Sequence, residues 1–315
     1  MAAPNTLNLI YRSPLVSVHE YRCRPVGPDR HREEHSHEHG VVFLRSGVFE
    51  RHIGRESTVA DANGVLFFNA WQPYRVTHPV AGGDNCVVLR ARPDVLAEML
   101  RPYHPAVTDG APPFAFPNGP CDSRAYLSMR ALVRGLERSD AVDPLAVDET
   151  VLGLIAQSIG TAYEVRGMRP REGTGSGESV AVGDRIAVGD RSSGGRRAST
   201  RRAHADWAEH AKLVLAEQYR NRLSLDDVAR AVHCSPYHLC RVFRRYTGAS
   251  IHRYLTRLRL RASLDRLMDA GPDLTRLALD TGFSSHSHFT SAFAREFGTP
   301  PSKISLTGGN RGNGE

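Results

Sequence analysis

The chain has 315 residues, 24% of them charged, and a formal net charge of +7, a length that exceeds one compact core and predicts two domains. No apolar run reaches about 18 residues, and "MAAPNTLNLIYRSP" at the start lacks the charged opening and long apolar stretch of a signal peptide; the expectation is a cytoplasmic protein with no membrane partner. Five scattered cysteines (Cys23, Cys86, Cys121, Cys234, Cys240) without a CxxC pair argue against a disulfide framework or a thiolate zinc site and read as reduced, structural thiols.

From about Leu15 to Ala91, short β-rich runs such as "GVVFLRS", "GVLFFN" and "CVVLRA" alternate with Gly, Asn, Asp and Pro turns, the pattern of an antiparallel barrel or sandwich. Within it, "HSHEHG" places His35, His37 and His39 on one face of an extended strand. Neutral imidazoles so arranged suit a metal site; the rim of a ligand pocket or a solvated polar turn are the other readings. Trp71, Tyr74 and His78 are candidates for the mouth of such a pocket, or for core aromatics.

Two helices follow. "SRAYLSMRALVRGLERS" carries Leu127, Leu132 and Leu136 on one side, and "PLAVDETVLGLIAQSIGTAYEV" repeats Val147, Val151, Leu154, Ile155 and Ile159 at helical spacing. They either cover the barrel or form a dimer seam. Residues 167–203, rich in Gly, Ser and Arg with little to bury, predict a flexible linker.

Beyond it the charge concentrates: residues 196–306 hold 19 Lys and Arg against 10 Asp and Glu, a surplus that suits a polyanion, nucleic acid before membrane. This region is an internal repeat. Leu225, Val228 and Ala229 recur 49 positions on as Leu274, Leu277 and Ala278, and Leu239, Phe243 and Gly248 recur 50 positions on as Phe289, Phe293 and Gly298. Each unit therefore reads as helix, turn, capped helix, with the one-residue slip in the turn. In "CSPYHLCRVFRRYTG", Ser235 is the N-cap, Pro236 the first helical residue and Gly248 the left-handed stop. Leu239, Val242, Phe243 and Tyr246 form the buried stripe, which leaves Tyr237, Cys240, Arg241 and Arg244 facing outward. An Arg fork there can bind O6 and N7 of guanine together. The connecting helix, Ile251 to about Asp269, is roughly 28 Å long, near the roughly 34 Å repeat of B-DNA.

On "LSLDDVARAVHCSPYHLCRVFRRYTGASIHRYLTRLRLRAS" and "LALDTGFSSHSHFTSAFAREFGTPPSKI", residues 204–306 resemble the DNA-binding domain of AraC/XylS-type transcriptional regulators. The resemblance implies a non-enzymatic, sequence-specific regulator, more often activator than repressor, with promoter DNA and RNA polymerase as partners and an N-terminal barrel that binds a small-molecule effector or mediates homodimerisation. It places Tyr237, Cys240 and Arg241 at base-reading positions of one recognition helix, with Arg244 beside them, and His286, Ser287 and Ser291 on the other, where short side chains imply weaker base reading. Residues 1–166 are similar to the cupin-like sensory domain common in that family, which gives an α+β chain overall: a cupin-like β-barrel with a helical segment, the linker, an all-α domain of two helix-turn-helix units, and a disordered tail at 307–315. On the pocket-rim reading, His35, His37, Trp71, Tyr74 and His78 are the candidate effector-binding residues. Val41 stands where metal cupins carry a carboxylate, and their later His is Tyr74 or displaced to His78, so no metal or cofactor is assigned. The rival reading is a metal-dependent cupin enzyme with a DNA-binding appendage.

Overall fold

The computed structural model describes residues 5–25, 33–104, 112–138, 142–170, 194–268 and 273–306, the side chains of 194–201 and 305–306 excepted. The expected tail at 307–315 and residues 171–193 of the expected linker lie outside the described residues; residues 194–203 at the linker's end are helical.

The N-terminal region runs β1 (Asn5–Arg12), β2 (Val16–Cys23), β3 (Gly40–Ser46), β4 (Phe49–Ile53), β5 (Glu56–Ala60), β6 (Gly64–Phe68), β7 (Arg75–Thr77), β8 (Asp84–Ala91), α1 (Pro93–Leu100), β9 (Asn118–Pro120), α2 (Ser123–Arg138) and α3 (Pro144–Glu164). The strands pair antiparallel in a six-stranded sheet, β1-β2-β8-β3-β6-β9, and a three-stranded sheet, β5-β4-β7. The central strands are apolar without a break because both faces of the large sheet are covered. With a side-chain period of two, Val41 and Phe43, Val65 and Phe67, and Val87 and Leu89 point into a core shared with α1 to α3. Val42, Leu44, Leu66 and Cys86 point the other way, against Phe49 and Ala60 of the small sheet.

The fold is thus sandwich-like, and among the described residues no closed barrel joins the two sheets. One reason lies at β5, whose outer edge meets a helix instead of a further strand. Val59 N donates to Glu209 Oε2 at 2.6 Å, and Lys212 Nζ donates to Val59 O at 2.7 Å.

Helices α2 and α3 cover the sheet. Asp143 caps α3 ahead of Pro144, and Val147, Val151, Leu154, Ile155 and Ile159 are buried as their spacing predicts. On α2 the deepest residues are Tyr126, Met129 and Val133, with Leu127, Leu132 and Leu136 only partly buried. The difference arises because α2 is wedged between the sheet and the C-terminal helices. Tyr126 Oη donates to Leu44 O at 3.0 Å on one side, and Arg130 pairs with Asp265 on the other.

The C-terminal region contains α4 (Gly194–Gln218), α5 (Leu225–Ala231), α6 (Pro236–Thr247), α7 (Ile251–Met268), α8 (Leu274–Asp280), α9 (His286–Phe297) and α10 (Pro301–Leu306). The repeat is realised in cap chemistry. Ser235 and Ser285 accept from the backbone N–H of His238 and His288, and Gly248 and Gly298 end α6 and α9 at φ 74° and 73°. The turns correspond too: His233 and Gly282, 49 positions apart, both take positive φ, and the added residue is Ser284.

The two halves are packed together. Arg261 of α7, 1% exposed, donates to the carbonyls of Ala62 and Cys121 and to Ser123 Oγ, with its guanidinium 4.6 Å from the centre of the Tyr126 ring. Tyr254 Oη donates to the buried Asp61 at 2.7 Å. Glu296 accepts from Ser123 Oγ and Arg257 Nε at 2.5 and 2.6 Å. The apolar core of α8 and α9 runs on into that of the large sheet.

Candidate nucleic-acid interface and sensor cavity

Helix α6 is amphipathic because its apolar residues recur every three or four positions. Leu239, Val242 and Phe243 are buried, and Phe243 packs edge-on against Tyr254. Tyr237 (73% exposed), Cys240, Arg241 and Arg244 share the outward face as expected. The Arg241 guanidinium lies 5.7 Å from the centre of the Tyr237 ring, one turn back, which pre-orients the fork. Tyr246 departs from the predicted stripe. It is 46% exposed, since the last turn of α6 overhangs a cleft of about 380 Å³ bordered by β5, Glu209, Lys212 and Arg245. Burial chiefly, and then Glu209, push its hydroxyl well above the ordinary tyrosine value.

Helix α9 is held by Phe289, Ala292, Phe293 and Phe297. His286, Ser287 and Ser291 are all exposed. His286 Nε2 lies 3.3 Å from Thr290 Oγ1. Arg295, also exposed, adds a basic group at the far end of this helix that the sequence reading did not assign; its position on the same helix was the available signal.

Between the two sheets lies a cavity of about 640 Å³. His35, His37, Tyr74 and His78 line it, while Trp71 does not. Trp71, 64% exposed and at φ 62°, a conformation that costs a bulky residue about 1–3 kcal/mol, stands outside with its ring 5.2 Å from His35 and 4.7 Å from His37. The expected three-histidine face is broken. The chain bends at His37–Glu38, and His39 turns away so that its Nδ1 accepts from Ala70 N at 3.0 Å; burial lowers its pKa. Tyr74 packs edge-on against Phe68, and burial pushes its hydroxyl up to about 12.

His78 sits in the connection between β7 and β8. Its Nε2 is 2.8 Å from Asp84 Oδ2, and hydrogen bonds to Asp84 and Cys23 raise its pKa to about 10. Cys23, Asp84, Cys86, Glu38 and Arg90 are lining residues that sequence reasoning missed. Strand pairing brings Cys23, Asp84, Cys86 and Arg90 together across the sheet, so no local pattern marks them.

A family model described as a helix-turn-helix domain matches residues 228–305. The probable transcription factor PqrA of Proteus vulgaris is 30% identical over 91 residues, 29% of this chain and 75% of that protein. The HTH-type transcriptional activator AarP of Providencia stuartii is 35% identical over 92 residues, 29% of this chain and 68% of that protein. The Msm operon regulatory protein of Streptococcus mutans is 29% identical over 98 residues, and there the match spans 31% of this chain and only 35% of the relative's length. A solved ToxT structure from Vibrio cholerae aligns with 94% of this chain and 98% of its own at 11% identity and a TM-score of 0.32, too low to transfer any property. Among the described residues no helix is long and apolar enough to cross a membrane.

Proposed function

The chain belongs to the AraC/XylS family of transcriptional regulators, and from that premise we propose that it reads promoter DNA with α6 and α9 under the control of a small effector held between its sheets. The observation that carries this reading is the duplicated, capped helix with an outward face of Tyr237, Cys240, Arg241 and Arg244 in one copy and His286, Ser287 and Ser291 in the other. A helix of this kind enters the major groove by its N-terminal half, where guanidinium and polar side chains meet base edges. The cavity, lined by aromatic and imidazole groups with a few polar residues, has the size and composition of a small-molecule site. His35, His37, Tyr74 and His78 are its polar contacts in this proposal, and Trp71 supports the two histidines from outside. The protein acts without catalysing a reaction, in the compartment that holds DNA, as a homodimer that engages RNA polymerase.

Footprinting on genomic fragments selected by the purified chain tests this reading. We expect two protected major-groove segments about one helical turn apart. Absence of any sequence-selective protection would overturn it, and sedimentation of the free protein checks the dimer.

A further inference from the structure

The cavity wall formed by β2, β8 and the connection between β7 and β8 holds three side chains that DNA binding does not use. Cys23 on β2 directly opposes Asp84 on β8, so the two emerge on the same face of the sheet. Cys86, two residues further along β8, stands on that face as well, and its Sγ donates to Asp84 Oδ1 at 3.1 Å. This leaves Oδ2 to His78 Nε2 at 2.8 Å. The chain can bring His78 there because Gly83, at φ 73°, lets the β7–β8 turn close on the end of β2: a Cβ at Gly83 would stand 2.1 Å from the Cys23 carbonyl oxygen. The outcome is one thiol sulfur, one imidazole nitrogen and one carboxylate oxygen within 4.8 Å of one another, with Cys23 and Asp84 buried.

We propose that Cys23, His78 and Asp84 bind a zinc-class divalent cation, supplying three of four tetrahedral positions, with the fourth open to the cavity. The donor set selects the metal. Magnesium and calcium take oxygen ligands almost alone, whereas mixed sulfur, nitrogen and oxygen donors suit zinc. Bonds of about 2.0–2.3 Å at tetrahedral angles separate ligand atoms by roughly 3.2–3.8 Å, so the side chains need only rotamer-scale shifts to close on an ion. Binding takes the thiolate, the neutral imidazole and the carboxylate, and the protons they give up go to solvent. Thiolate, carboxylate and dication then sum to zero charge, which is what a buried site tolerates. Cys86 fixes the carboxylate's orientation from behind. The fourth position takes water or a donor atom of the cavity's ligand. The metal requires neither DNA nor effector, so it stands or falls apart from the regulatory reading.

The test uses the full-length chain, stripped with a chelator and titrated with Zn2+ alone, then with Co2+ as a spectroscopic substitute. One equivalent of zinc should survive gel filtration. The cobalt form should show a near-ultraviolet thiolate charge-transfer band with intense, tetrahedral visible bands. Cys23→Ser should abolish the charge-transfer band and weaken zinc by at least about a hundredfold, more than loss of a merely supporting residue. The double variant H35A/H37A and the variant Cys240→Ser should keep the zinc stoichiometry and the cobalt spectrum of the wild type. Substoichiometric zinc in the wild type, a cobalt spectrum without a thiolate band, or binding lost with the His35/His37 pair and kept in Cys23→Ser would each overturn the proposal. The wild-type cobalt spectrum decides even if Cys23→Ser does not fold.

Discussion

Arg241 is exposed near the start of α6, with the face of Tyr237 one turn behind it. On the proposed reading this guanidinium meets a guanine edge. Arg241→Ala should therefore weaken binding to the cognate site by about 1–3 kcal/mol and relax preference at one base pair, with little change on random DNA. Fluorescence anisotropy on both DNAs measures this; equal losses would assign Arg241 to the backbone. Glu296 shows a different residue-level control. Burial raises its pKa, but the hydrogen bond from Ser123 and the guanidinium groups of Arg257 and Arg253 outweigh burial and hold it below the ordinary carboxylate value. A depressed folded pKa contributes stability above the unfolded value near 4.5 and loses it as pH falls through the folded one. Melting temperature should thus fall less steeply on acidification below about pH 4.5 in Glu296→Gln than in the wild type. Parallel acid limbs would mean that this carboxylate does not strengthen domain contact.

At the scale of the element, the turns of the repeat hold one glycine that cannot be replaced without a clash and one that has space around it. Gly282, at φ 89°, would carry a Cβ 2.8 Å from Tyr219 O and 2.9 Å from Arg220 O, so Gly282→Ala should destabilise by about 1–3 kcal/mol or more. Gly248, with open space around it, should lose only about 1 kcal/mol on replacement by Ala. Thermal melts compare the two. The outward sets also differ in reach, Tyr237 and Arg241 on α6 against His286, Ser287 and Ser291 on α9, so the proposed reading makes base discrimination unequal. Systematic operator mutation should give steep penalties in one major-groove segment and shallow ones in the next, where phosphate contacts and DNA shape dominate. Two equally steep segments would show that α9 reads bases as well as α6.

At the scale of the whole molecule, the contact between the two halves is a buried one. Arg261 fills two backbone carbonyls, a serine hydroxyl and an aromatic face that belong to the N-terminal half. Arg261→Leu should leave Ala62 O and Cys121 O without these donors and cost about 1–3 kcal/mol, read as a lower melting temperature of the full chain. In the isolated fragment 204–306 the same substitution should be close to neutral. The fragment keeps the apolar cluster around Leu239 and Phe243 and the Phe289–Phe293 ring contact, so it should remain helical. Its melting temperature should nevertheless lie below that of the full chain, because Tyr254 and Arg261 lose their buried partners. A fragment as stable as the full chain would show that the contact contributes nothing.

The sequence by itself determined what depends on near neighbours along the chain. The buried face of α3, the caps Ser235 and Ser285, the stops at Gly248 and Gly298 and the outward set on α6 all follow from helical period and cap chemistry. The 49- and 50-residue offsets carried the duplicated architecture as well. Tertiary structure decided whatever needs partners far apart in the chain. Strand pairing set Cys23 beside Asp84, and a tight glycine turn delivered His78, a cluster spread over 62 positions that no spacing rule marks. A bend at His37–Glu38 sent His39 into a structural role, although strand alternation alone puts it with His35 and His37. Docking of α4 on the edge of β5, and of α7 against Tyr126, joins a two-sheet sandwich to the helical half; the β-run pattern left barrel or sandwich open, and the resemblance implied a barrel. Edge pairing and burial of Arg261 are settled by the free energy of the assembled surfaces, which no single segment encodes.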